Sequence, residues 1–354
     1  LFLLLIISTS LTAQIRLEGY NQKLINPSLL EGRWKARWIS LPDEPANAYG
    51  AYHFRKSFEL ESVPSQFIVH VSADNRYKLY INGELVSLGP TRGDIYNWNF
   101  ETVDLSPYLQ QGKNVLAAVV WNYAEKKPVA QISFNQTGFL LQGNTATESI
   151  VNTNRSWICI KNEAYAPWHG GRVLGYYVAG PGELINTAPY PWGWEKPDYN
   201  DSAWIQAASG LEAGVKGARD YPGRLLVPSP IPPMEMKQER LASVRIAAGI
   251  RMPKDFLSKP SPVTIPADSD VRLLLDNSQL TTGYLSMLFS KGKDAEIIIS
   301  YTEALYEDKE SATTKSYSLN SKGHRDEVEG KHFLGYEDEL IADGGNTRNF
   351  TTLW

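Results

Sequence analysis

Short apolar runs separated by turn-forming residues recur along this chain, and they restrict it to a β-rich fold. The run AYHFRKSFEL at 51–60 alternates in polarity, and QFIVHVSADNRYKLYING at 66–83 contains two apolar runs broken at 72–75. A period of two is typical of half-buried strands, whereas amphipathic helices repeat about every 3.6 residues. Asn82-Gly83 indicates a hairpin because both residues tolerate positive φ. The segment GKNVLAAVVWNY at 112–123 is too rich in β-branched residues for a comfortable helix.

The same pattern continues at 131–143 and 155–165 and predicts a sandwich or jelly roll. Between Trp168 and about Pro233 the composition shifts to Gly, Pro and Trp, and the segments 190–204 and 228–236 cannot form regular ladders because Pro lacks the donor and fixes φ. The segment 270–306 then predicts three further strands, with a hairpin closed by Lys291-Gly292-Lys293-Asp294.

These patterns predict an all-β fold with two successive β-sandwich domains. The predicted boundaries are a partial signal peptide at 1–13, an amino-terminal extension at 14–35, a first sandwich at 36–210, a Pro-rich connection at 211–239 and an incomplete second sandwich at 240–354.

Charge argues against nucleic-acid binding. The chain has 354 residues, with 35 basic and 39 acidic side chains and a net charge of −4, so no basic excess is available to neutralise phosphates. The 10 Trp and 19 Tyr are expected mainly in cores and turns, with sugar-stacking platforms as the minority alternative.

The opening LFLLLIISTSLTAQ resembles the apolar core and cleavage region of a secretory signal, which predicts a periplasmic or secreted protein. Its apolar run is shorter than the about 20 residues that a membrane-spanning helix needs, so no transmembrane segment is expected. The single Cys159 excludes an internal disulfide.

Motifs for common catalytic chemistry are scarce. The five histidines have no zinc-binding spacing, and His53 and His70 fall within strand patterns; the five are His53, His70, His169, His324 and His332. Glu303 is the best lone candidate for a functional carboxylate, although a strand-edge or interdomain contact is favoured for it.

Asp74-Asn75 is the stronger candidate for a binding site, because two side chains with oxygen atoms lie at the break between two apolar strands. A hard cation such as Ca²⁺ prefers such donors. If the strands fold back, Trp98 and Asn122 approach the same edge of the sandwich. An indole ring there covers the apolar face of a sugar, and an amide forms hydrogen bonds with its hydroxyl groups. The alternative is a turn in which Asp and Asn bond their own backbone.

Several segments, in order, resemble α-L-rhamnosidases of glycoside hydrolase family 78. The segment SADNRYKLYINGELVSLGP at 72–90 resembles the family's amino-terminal strand pair, and 104–122 resembles its Gly-Lys-Asn segment. PDYNDSAWIQA at 197–207 resembles the closing element of galactose-binding-like sandwiches, 273–308 the family's second sandwich, and 332–354 the run before the catalytic barrel.

This resemblance implies a jelly-roll, galactose-binding-like fold for the sandwiches and a non-catalytic place in an inverting hydrolase of terminal α-L-rhamnose. The catalytic (α/α)6 domain is then expected downstream of Trp354, and no catalytic residue is assigned in this chain. In some relatives a calcium-dependent rhamnose site uses residues in the same order as Asp74, Asn75, Trp98, Asn122 and Pro128 here. The resemblance thus implies a rhamnose-containing glycan as ligand, with calcium on Asp74 and Asn75.

Two alternatives remain open at the level of sequence. The first is a stand-alone carbohydrate-binding or surface-adhesion protein. The second is another exo-glycosidase or a polysaccharide lyase built on the same sandwiches, because a fold does not determine chemistry.

Overall fold

The computed structural model describes residues 22–170, 178–307 and 322–353. The predicted signal peptide lies outside the described residues, as does the first part of the predicted extension. Short 3-10 helices occur at Gln22–Leu24, Pro27–Leu30, Ser106–Tyr108, Ala124–Lys126 and Glu148–Val151. Across the described ranges, no helix has the length and apolar character needed to cross a membrane.

The strands cover most of the regular structure. In chain order they are β1 Arg33–Ser40, β2 Gly50–Leu60, β3 Ile68–Asp74, β4 Arg76–Ile81, β5 Glu84–Gly89, β6 Trp98–Asp104, β7 Gly112–Asn122, β8 Gly138–Gly143, β9 Ile158–Lys161, β10 Tyr165–Ala166, β11 Leu184–Asn186, β12 Ile205–Gln206, β13 Ala208–Val215, β14 Leu225–Pro228, β15 Ser243–Ala248, β16 Arg272–Asp276, β17 Ser286–Phe289, β18 Glu296–Tyr301, β19 Tyr336–Ile341 and β20 Arg348–Thr351. The prediction of an all-β fold is confirmed.

The chain divides into two compact units. Of the described residues, one unit contains Pro233–Gln279 and the other contains those in 22–232 and 280–353. In the described part of the first unit, β15 and β16 form an antiparallel pair. The second unit contains the remaining strands.

In the second unit, an open six-stranded sheet (β12-β9-β2-β7-β4-β5) faces a sheet that closes on itself (β1-β13-β14-β6-β3-β8). The main core lies between them and includes Phe54, Leu79 and Phe139, none of which is exposed. The two facing layers confirm the sandwich arrangement.

The position of β7 between two cores explains its continuous apolar run at 115–121. Leu116, Ala118 and Val120 belong to the main core, whereas the intervening Ala117 and Val119 belong to a second core on the other face of the open sheet. A strand buried on both faces needs a continuous apolar run instead of alternation.

A smaller sheet, with the order β10-β11-β19-β18, adjoins that second core. Its strands come from distant parts of the chain, because β11 pairs in parallel with β19 and β18 pairs antiparallel with β19. A third core fills the closed sheet and contains Trp34, Trp98 and Phe100.

The two predicted hairpins have different outcomes. Asn82 and Gly83 have φ of 53° and 93° and join the antiparallel strands β4 and β5, so that prediction is confirmed. The hairpin predicted at Lys291–Asp294 is wrong, because β17 pairs with β20 and β18 pairs with β19. The turn itself forms, but its flanking strands bond segments from 336–351 instead of each other.

One strand crosses a predicted domain boundary, and another lies inside the predicted connection. Strand β13 runs through the predicted boundary at 210, and β14 lies inside the predicted connection while completing the closed sheet. Likewise, the described residues after 279 cluster with those before 233 and not with 233–279. The reason is that apolar side chains in β14 and β18–β20 complete cores begun by earlier strands, which local composition does not reveal.

Candidate functional site

Asp74 ends β3, and Asn75 separates it from β4 in the facing sheet. The break predicted at 72–75 is therefore confined to Asn75, since Ser72 and Ala73 still pair within β3. The chain crosses here from the closed sheet to the open sheet, so these polar side chains lie at the seam between two layers.

The Asp74 side chain is fully buried and its carboxylate is surrounded by donors. Oδ1 accepts from Asn75 Nδ2 at 2.8 Å and from Ser133 Oγ at 2.7 Å. Oδ2 accepts from the Phe134 backbone N–H at 2.8 Å and from Arg224 Nε and Nη2 at 3.2 and 2.9 Å. Both carboxylate oxygens are therefore committed to protein donors.

Asn75 and Asn122 are likewise held by hydrogen bonds within the protein. Asn75 Oδ1 accepts from the Tyr123 N–H at 3.1 Å, while Asn122 Oδ1 accepts from the Ala124 N–H at 2.8 Å. Asn122 Nδ2 donates to Thr137 Oγ1 at 3.0 Å. The two asparagines thus fix the chain after β7, and Asn75 bonds a segment 48 positions away instead of the backbone of its own turn.

A cleft lies beside this seam and brings together two of the five predicted site residues, Asn75 and Trp98. Asp74, Asn122 and Pro128 do not line the cleft. Pro128 is buried, and its carbonyl oxygen accepts a hydrogen bond from the backbone N–H of Gln131, which does line the cleft. The lining residues are Asn75, Pro90, Thr91, Arg92, Gly93, Trp98, Asn99, Gln131 and Ile132.

One wall of the cleft is the loop at 90–93, which side chains of β6 hold in place. Asn99 Nδ2 donates to the carbonyls of Thr91 and Arg92, both at 3.1 Å. Glu101 Oε1 accepts from the Thr91 N–H at 2.9 Å, and burial raises the pKa of this carboxyl group. Because three side-chain contacts hold this loop, the wall is preorganised for a ligand.

Two residues that line the cleft each carry a buried polar atom with no hydrogen-bond partner in the described part of the chain. These atoms are the indole Nε1 of Trp98 and the carbonyl Oε1 of Gln131. A buried polar atom without a partner costs about 1–3 kcal/mol. One donor and one acceptor at a shared cleft are complementary to a hydroxyl group, which both accepts and donates.

The residues predicted to hold calcium do not fit that ion. Ca²⁺ takes about six to eight oxygen ligands, whereas the oxygens of Asp74 and Asn75 already accept from N–H and O–H groups. Within the described ranges, no group of three or more His, Cys, Asp or Glu side chains is placed to hold a metal ion. We therefore assign no step to calcium.

Arg224 and Gln131 are the residues that sequence reasoning missed. Arg224 is 150 positions from Asp74 in the chain, and its side chain is 6% exposed. The residues around Arg224 in the sequence do not indicate which carboxylate it pairs with. Gln131 lies in an alternating pattern, where a polar residue normally indicates a solvent-facing strand position. Only the closure of the sheet through β14 brings Arg224 to β3.

The other candidate residues have structural partners. His70 bonds Thr102 Oγ1 and Asn144 Oδ1, both at 3.0 Å, and His53 Nε2 bonds Asn162 Nδ2 at 3.0 Å. Burial lowers the pKa of His53 to about 3 and that of His70 to about 4. Glu303 forms an ion pair with Lys322 at 2.9 Å. Burial raises the pKa of the Cys159 thiol to about 12.

Part of this chain is similar in sequence to a known α-L-rhamnosidase. An α-L-rhamnosidase from Alteromonas sp. (strain LOR) is 24% identical over 201 residues, which cover 51% of this chain and 21% of that protein. The resemblance to α-L-rhamnosidases is confirmed. This chain spans about a fifth of the length of that curated relative.

Solved rhamnosidase structures share the fold. A family 78 rhamnosidase from Bacillus sp. GL1 has a TM-score of 0.54 and 24% identity, with coverage of 63% of this chain and 22% of that one. The α-L-rhamnosidase from Aspergillus terreus has a TM-score of 0.58 and 16% identity, covering 89% of this chain and 32% of that one. No family model matches the chain.

Proposed function

We propose that this chain is a non-catalytic part of a glycoside hydrolase resembling α-L-rhamnosidases, and that the cleft beside Asn75 binds a rhamnose-containing glycan. The whole protein would then remove terminal α-L-rhamnose from glycans with inversion, using an (α/α)6 domain. It would be exported to the periplasm or secreted, as its amino-terminal segment predicts. Support for the parent activity comes from the curated relative and the shared fold.

The observation that carries the binding proposal is that two residues lining the cleft each carry a buried polar atom without a partner among the described residues, Trp98 Nε1 and Gln131 Oε1. A sugar hydroxyl could accept from the indole N–H and donate to the amide carbonyl, which would remove the cost of two buried orphan groups. Asn75 and Asn99 belong to the same lining and are held by hydrogen bonds within the protein, while the indole of Trp98, which is 4% exposed, supplies an apolar edge. Sites for small ligands typically combine such apolar surface with a few placed polar groups.

Binding is tested by titrating the chain with rhamnose-bearing oligosaccharides and comparing Trp98→Phe with the wild type. The variant keeps an aromatic ring but removes the N–H, so we expect affinity to fall about three- to tenfold, the value of one hydrogen bond. Trp121→Phe is the matched control, because Trp121 is similarly buried but belongs to the second core and does not line the cleft. Equal affinities for wild type and Trp98→Phe, or a loss shared by the control, would place the site elsewhere.

Catalysis by this chain alone is tested with an aryl α-L-rhamnoside. Glycoside hydrolysis typically uses two carboxyl groups across the scissile bond, and the residues lining the cleft include neither Asp nor Glu. We expect no turnover above that of a heat-denatured sample. Sustained release of the aryl group by the purified chain would contradict the non-catalytic assignment.

A further inference from the structure

A buried arginine stands against the carboxylate for which the sequence predicts a calcium ion. We propose that Arg224 is the permanent counter-ion of Asp74, so that neither the fold nor the cleft of this chain depends on calcium. The stability part of this inference stands by itself; its extension to sugar binding rests on the proposed function.

Arg224 ties three parts of the molecule together through short polar contacts. It lies just before β14, and its Nε and Nη2 donate to Asp74 Oδ2 at the end of β3. Nη2 also donates to the Gln136 carbonyl at 2.5 Å. A bound cation would join the same carboxylate to neighbouring loop oxygens, and the guanidinium already makes those connections.

Aromatic rings enclose the guanidinium. Its Cζ lies 4.3 Å from the ring centroid of Trp38, 5.6 Å from that of Trp98 and 5.3 Å from that of Phe134. Cation–π attraction is strongest where water is excluded, and Arg suits such a site because it is weakly hydrated and planar. This enclosure favours a fixed side-chain cation, since aromatic carbons cannot serve as ligands for Ca²⁺.

Charge balance leads to the same result. Asp74 contributes one negative charge and Arg224 one positive charge, both with side chains no more than 6% exposed. A divalent ion added beside this pair would leave uncompensated positive charge in a buried site, which is costly. It would also have to displace the Phe134 N–H and the Ser133 hydroxyl from the carboxylate.

The arginine also connects to the candidate sugar cleft. Trp98 contacts the guanidinium and lines the cleft, and Ser133 bonds both Asp74 and Asn75. The ion pair therefore holds one side of the cleft in place through protein groups alone.

The experiment measures the melting temperature of the chain in millimolar calcium and in EDTA, together with calcium titration calorimetry. We expect equal melting temperatures for the wild type and no saturable heat. A higher melting temperature in calcium, or saturable binding at the roughly 10⁻⁴–10⁻³ M typical of extracellular calcium modules, would overturn the inference.

Variants test the role of Arg224 itself. Arg224→Gln leaves a buried carboxylate without its cation, and we expect a fall in melting temperature several times that of the control Arg37→Gln. Arg37 forms an ion pair with Glu212 at 2.9 Å on the same closed sheet, but the two side chains are 43% and 41% exposed. Equal effects of the two variants would overturn the proposed role.

A double variant keeps the test decisive if Arg224→Gln does not fold. Asp74→Asn with Arg224→Gln removes both charges, so we expect it to be more stable than either single variant. Additive losses would contradict a coupled pair. In the sugar titration, equal affinities with and without EDTA support the inference; absence of any sugar binding, with the melting results as expected, would refute only the proposed function.

Discussion

His70 is a buried residue whose protonation links folding to pH. It is fully enclosed in β3, and burial lowers its pKa from 6.5 to about 4, although Asn144 and Glu148 act in the opposite direction. The unfolded chain takes up this proton near pH 6.5, whereas the folded chain resists it until about pH 4. The stability contributed by neutral His70 is therefore complete above pH 6.5 and is lost as the pH falls towards 4.

We expect His70→Gln to flatten this dependence, because glutamine keeps polar atoms but does not titrate. Between pH 7 and 4 the free energy of unfolding of the wild type should fall by on the order of 2–3 kcal/mol more than that of the variant. Urea unfolding at several pH values provides the measurement. His169→Gln, at a side chain that is 62% exposed, should retain the wild-type slope; parallel curves for all three proteins would contradict the role of His70.

At the scale of elements, the hairpin between β4 and β5 depends on a two-residue turn. Gly83 has φ of +93°, and the Asn82 side chain bonds the Tyr108 carbonyl and Asn114 Oδ1 at 3.0 and 2.9 Å. Asn82 Oδ1 also accepts from the Val115 N–H at 2.9 Å. The turn thus anchors the edge hairpin to β7, the central strand of the open sheet.

We expect Gly83→Ala to destabilise the chain by roughly 1–2 kcal/mol, because an L side chain is strained at this φ. The space itself is adequate, since the nearest atom to an added Cβ would be Lys196 Cγ at 3.7 Å. Gly283→Ala is the control, with an ordinary φ and no atom within 4 Å of an added Cβ. Chemical denaturation measures both, and equal midpoints for the two variants would refute the backbone explanation.

At the scale of the whole molecule, burial is unevenly distributed. No residue in 233–279 is buried, whereas nine of the eleven residues of β7 are buried. Protection of backbone amides depends on local packing and contact density. The two units should therefore open with very different free energies.

Hydrogen exchange read by mass spectrometry checks this expectation. Amides of the paired strands β15 and β16 should exchange orders of magnitude faster than those of the pair β2–β7. Peptides from β13 and β14 should follow β7, because those strands close the sheet around the third core. Exchange at one common rate in both units would contradict this division.

The local features of this protein follow from residues that are neighbours in the sequence. Alternation and β-branched runs predicted the strands and the all-β fold, and Asn82-Gly83 predicted a hairpin, because these signals depend on neighbours a few residues apart. The resemblance to α-L-rhamnosidases was also visible from ordered segments. Tertiary structure decided the pairings: which strands flank the turn at 291–294, how β14 closes the sheet, and that Arg224 meets Asp74. These depend on which distant apolar faces bury one another, and the energy of a buried charge depends on partners that no local pattern contains.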